Sequence, residues 1–145
     1  QTQPLLGGVG ASRPPPRTPV GWDSGRLAMI LAVLEARCGI SFATAEVYLN
    51  VAGGYRLNDP AADLAVAAAL VSALSERPVP QEAVIMGEIA LSGEVRPVAH
   101  AGLRLKESAK LGFDLGWVPS GSEQGGISLT RFGRLRELVD QILGR

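Results

Sequence analysis

The sequence predicts an α/β (α+β) fold, a mixed sheet covered by helices, and three observations carry that prediction. Segments with strand-like and helix-like hydrophobic spacing alternate along the chain. Glycine and proline clusters punctuate them. The length of 145 residues, with 46% hydrophobic and 19% charged residues, suits one soluble domain able to bury a substantial core.

The elements follow in order. Residues 1–17 read as a linker or extended N-terminal segment and 18–145 as the domain. "GGVGASRPPPRTP" mixes glycines with Pro14, Pro15 and Pro16, which fix φ and remove donors. Its "GGVG" lacks the Lys and Ser/Thr of a phosphate-binding loop. Asp23 or Ser24 can cap a helix in which Leu27, Ile30, Leu31 and Leu34 share one face, with Gly39 as its stop. "EVYLNVAGG" (46–54) predicts a strand closed by a Gly-Gly turn. "DPAADLAVAAALVSAL" (59–74) predicts a helix over about 60–76, capped by Asp59, opened by Pro60 and ended by Arg77-Pro78. "AVIMGEIALSGEVRPV" (83–98) reads as a hairpin turning at Ser92-Gly93, its first arm the more buried. A helix over about 100–111 stops at Gly112, "LGWVP" and "GISLTRF" are short strands, and Leu135, Leu138, Val139, Ile142 and Leu143 stripe a last helix.

Charge and composition exclude several functions. Lys plus Arg equals Asp plus Glu at 14 each, so no global field attracts nucleic acid or a membrane, and any such contact needs a local patch. No apolar run approaches the roughly 18 residues of a membrane span. Cys38 and His100 are single, which rules out an intrachain disulfide and argues against a metal site. A reducing cytoplasm is the expected setting.

The helix beginning at Pro60 has the frame of a catalytic site, because outward N–H groups at a helix start stabilise negative charge. Ala61 and Ala62 occupy that frame and carry no reactive atom. Ser72, Ser75, Ser92 and Ser108 lie in helices or a turn, without an evident base. Asp63 in the first turn suits the macrodipole. His100, at a helix start, reads as a surface or capping residue, and Cys38 as a small buried hydrophobe. Trp22, Trp117, Phe113 and Phe132 are too dispersed for a base-stacking platform. Arg96, Arg104, Lys106 and Lys110 face only Glu94 and Glu107 between residues 93 and 110, a candidate DNA-binding patch or an ordinary solvated face.

These segments resemble two related families. The order strand, "GG", capped helix, "GEIALSGEVRPV" and a helix ending "KLGF" is similar to the Lon protease proteolytic domain. That family places a serine nucleophile in G-P-S-A-G and a lysine base in G-G-L-K-E-K. Aligned through "ALVS" the serine position falls on Ala61, and aligned through "RP" the lysine position falls on Gly102. "GRLAMILAVL" (25–34), "VYLNVAGG" (47–54), "ADLA" (62–65) and "GEIALSGEVRPVAHAGLRLKESAKLGF" (87–113) resemble the C-terminal domain of the RadA (Sms) family of bacterial DNA repair proteins, with "VAHAG" departing from the usual form.

That resemblance implies a Lon-like fold of the ribosomal protein S5 domain 2 type without the peptidase dyad. It further implies a hexameric scaffold that contacts DNA, in a parent whose ATPase drives branch migration. The parent would use ATP, magnesium and zinc, none of them bound by this segment, and its partners would be further copies of itself, DNA and a recombinase. Two rivals stay open: a Lon-type peptidase with an unusual site, and a stand-alone interaction module.

Overall fold

The computed structural model describes residues 2–7, 17–20, 24–41, 46–51, 60–123 and 126–145. The class is α/β, but the described strands divide among three small sheets rather than one. In the first, β3 (Glu46–Val51) lies between β1 (Thr2–Gly7), antiparallel to it, and β2 (Arg17–Val20), parallel to it. Within the span read as a linker, residues 2–7 are therefore a strand. It holds Pro4, as β2 holds Pro19, and both prolines lie on edge strands, where a proline nitrogen can face away from the ladder. Pro14, Pro15, Pro16, Asp23, Gly53, Gly54 and the cap Asp59 lie outside the described residues.

Helix α1 (Ser24–Cys38) ends where Gly39 takes φ +69°, a conformation that costs glycine little. Helix α2 (Asp63–Ser75) is preceded by a 3-10 turn at Pro60–Ala62 and closes on Glu76 in the left-handed region, with Arg77 N–H on the Ser72 carbonyl at 3.2 Å. Its Ala67 and Ala68 are fully buried and let α1 and α4 (Leu135–Leu143) approach closely. Leu27, Ile30 and Leu34 of α1 meet Leu64, Leu70 and Val71 of α2 and Leu135, Leu138 and Val139 of α4 in one core.

The segment 83–98, read as one hairpin, is two structures. β4 (Ala83–Ile85) pairs in parallel with β7 (Leu115–Pro119), which pairs in parallel with β8 (Ser128–Phe132). Only β5 (Glu88–Ile89) and β6 (Val95–Arg96) form the antiparallel hairpin. The first arm is the more buried, as its apolar run implied. The parallel sheet is covered on both faces. Trp117 and Phe132, edge to face at 5.5 Å, point into the helical core, while Val118 faces Leu105 of α3 (Ala101–Lys110) with Met86 and Ile127. Gly116 lies on the α3 side, where an added Cβ would come within 2.8 Å of Leu129 and 3.3 Å of Leu105. No described helix is long and apolar enough to cross a membrane.

Candidate functional site

The start of α2 is where a Lon-like peptidase would carry its nucleophile, and here it is closed by hydrogen bonds. Leu64 N–H donates to the Gly87 carbonyl at 3.0 Å, and Gly87 N–H donates to the Ala61 carbonyl at 2.9 Å. The close approach needs glycine, since a Cβ at 87 would stand 3.0 Å from Val95 and 3.2 Å from Leu64. Asp63, fully buried, accepts Arg26 Nε at 2.9 Å on one oxygen and Arg26 Nη2 on the other. The second oxygen also accepts Ile89 N–H at 3.0 Å. One carboxylate thus joins α1, α2 and the hairpin. The dipole reading of Asp63 captured its place on the helix and missed its partners.

Ala61 is buried, whereas a Cβ on Gly102, in the first turn of α3, would meet nothing within 4 Å among the described residues. A side chain at 102 would start from open space, with no described neighbour to aim it. The serines serve the backbone: Ser72 Oγ donates to the Arg77 carbonyl at 2.5 Å, Ser75 Oγ to Val71 at 2.6 Å and Ser108 Oγ to Arg104 at 2.8 Å.

The basic candidates separate. Lys106 and Lys110 are exposed at i, i+4 on α3, opposite the buried Leu105 and Ser108, and Lys110 pairs loosely with Glu107 at 3.6 Å. Arg104, half-buried, turns back so that Nε donates to the Ala99 carbonyl at 3.0 Å. Arg96 is exposed on β6, and among the described residues no hydrogen bond or ion pair joins it to α3. His100 is exposed and left-handed, φ 58°, and its carbonyl accepts Arg104 N–H. Cys38 is buried, and burial pushes its thiol above the ordinary value of 9.0, against the smaller opposing pull of Arg136.

A second basic site had no linear signal. Arg37 at the end of α1, Arg134 before α4 and Arg136 within it line a cleft of about 250 Å³ with Ser92 and Gly93. Its arginines come from opposite ends of the chain, so neither a charge run nor helical spacing marks them.

With this geometry established, comparison with known proteins decides the family. Residues 24–122 match the family described as subunit ChlI of Mg-chelatase. The chain belongs to that family. Its mixed α/β architecture is compatible with a Lon-like fold of this kind. The chain is also similar to proteins named DNA repair protein RadA, which bears out the resemblance read from its motifs. The Brucella abortus (strain 2308) protein is 62% identical over 108 residues, 74% of this chain and 23% of that relative. The Aquifex aeolicus (strain VF5) protein is 49% identical over 109 residues, 75% and 24%. The Synechocystis protein is 45% identical over 124 residues, 83% and 25%. The chain spans about a quarter of the length of the curated relatives it matches.

Proposed function

We propose that this chain is the Lon-like domain of a RadA-type DNA repair protein, a non-peptidase scaffold for a hexameric ring that adds DNA contact to an ATP-driven branch-migration motor. The identity of 62% over 108 residues to a protein named for DNA repair carries this reading. The start of α2 supports the absence of peptidase chemistry, because Ala61 carries no nucleophile and the Leu64 amide beside it is already held by the Gly87 carbonyl. ATP, magnesium and zinc belong to the remainder of the parent, which acts in the cytoplasm and can meet a recombinase there. Lys106 and Lys110 supply an exposed basic face to the DNA, with Arg96 and Arg104 beside it in sequence.

Fluorescence anisotropy of the full-length protein with branched and linear duplexes tests this reading. Changing Lys106→Glu and Lys110→Glu together should weaken binding and lower the salt slope by roughly 0.9 for each phosphate no longer neutralised. Unchanged affinity and slope would show a merely solvated face. The interaction-module reading is favoured by Leu91, Leu103 and Leu111, which are 73%, 60% and 79% exposed. It predicts self-association that Leu103→Lys with Leu111→Lys abolishes while DNA binding is absent throughout.

A further inference from the structure

The cleft of Arg37, Arg134 and Arg136 brings together three like charges from the end of α1 and the start of α4. All three side chains are exposed, and among the described residues none forms an ion pair. Neighbouring acids offset part of this charge without pairing with it. Glu137 Oε1 accepts the N–H groups of Gly133 at 3.0 Å and Arg134 at 2.8 Å, and Asp140 pairs with Arg145 at 3.3 Å. Glu94, bridged through its backbone to Arg134, is exposed to solvent.

The walls of the cleft are fixed. Leu135 N–H donates to the Gly93 carbonyl at 2.8 Å, which ties the hairpin turn to the start of α4 and uses that helix's first amide. Gly93, at φ +88°, lets the Arg37 stem lie against the turn, with Arg37 Cγ 3.4 Å from where a Cβ would stand. Ser92 Oγ accepts Glu94 N–H at 3.4 Å and so keeps its own proton to donate. Guanidinium forks and a hydroxyl around a small basin match the oxygens of a phosphate, which binds such forks in pairs.

We propose that this cleft is a phosphate subsite, filled by a nucleic-acid backbone phosphate when the protein is on DNA. The proposal rests on the DNA-contact reading above and places a contact on a face separate from Lys106 and Lys110. A free phosphate group shares the chemistry, and the test separates the two sources.

Anisotropy on the full-length protein compares the wild type with Arg37→Gln, Arg134→Gln, Arg136→Gln combined, with Lys at the same three positions, and with the Lys106→Glu, Lys110→Glu pair. Separately, the 145-residue chain labelled with ¹⁵N is titrated with inorganic pyrophosphate. The Gln variant should lose about tenfold in DNA affinity and roughly 0.9 in salt slope per phosphate. The Lys variant should recover the slope but only part of the affinity, a split that general misfolding would not produce. If the Gln variant binds DNA like the wild type while the α3 pair does not, the cleft is wrong and the DNA reading stands. If the wild type binds no DNA, the DNA reading fails. Pyrophosphate-induced shifts at Ser92, Gly93 and Leu135, lost in the Gln variant, would then keep the subsite and assign it to a free phosphate. Their absence would overturn it.

Discussion

Arg26 and Asp63 meet through both oxygens of the carboxylate, with Asp63 fully buried and Arg26 27% exposed. The pair is asymmetric: loss of Arg26 strands a buried anion, whereas loss of the Asp63 charge leaves a guanidinium that reaches water. Arg26→Met should cost about 3–5 kcal/mol and Asp63→Asn less, since the asparagine oxygen can still accept Ile89 N–H. Urea unfolding of both variants checks the order, and equal costs would mean that the charge contributes nothing beyond its hydrogen bonds.

Restoring the peptidase side chains should not restore peptidase activity. With Ala61→Ser and Gly102→Lys together, the Leu64 amide remains on the Gly87 carbonyl and no described residue within 4 Å of the lysine Cβ packs against it to aim it. Catalytic groups need placement within about 0.5 Å of productive geometry. Casein turnover and mass labelling by a serine-directed reagent provide the readout, and stoichiometric labelling at position 61 would contradict the expectation.

Glu76 ends α2 in the left-handed region, φ 57°, and is exposed. A side chain there costs roughly 1–2 kcal/mol relative to glycine, part of which returns as the greater freedom of unfolded glycine. Glu76→Gly should therefore stabilise the protein by about 0.5–1 kcal/mol, seen as a higher urea midpoint at unchanged slope. A lower midpoint would show that a side chain at 76 is needed.

The buried Cys38 thiol holds its proton more tightly when folded, so its pKa is raised on folding. The resulting stabilisation is complete below the ordinary thiol value and is lost as pH rises through the higher folded one. Cys38→Ser should flatten that alkaline decline. Thiol labelling at about pH 8 should be slow in buffer and fast in urea, and rapid labelling without denaturant would contradict the burial.

What the sequence made legible was local. The stripes on α1 and α4 were read from spacing, and every named α1 stripe residue, Leu27 to Leu34, is buried. Long-range pairings were not legible. Ala83–Ile85 looked like a hairpin arm because its parallel partner, Leu115–Trp117, lies beyond an intervening hairpin and helix. β1 carries Pro4, which an edge position tolerates, and its partner β3 lies about forty residues on. At the candidate site, the empty frame at Ala61 was visible, but its hydrogen bonds to Gly87 and the arginine that holds Asp63, 37 positions away, were set by tertiary packing.

Because α1 and α4 share one core with α2, the domain cannot be completed from its N-terminus during synthesis. As this segment leaves the ribosome, Leu27, Ile30 and Leu34 wait for Leu135, Leu138 and Val139, which follow only after all three described sheets have been made. The apolar face of α1 stays partly uncovered until α4 emerges, and a chain cut short before α4 is a natural client for chaperones and proteases.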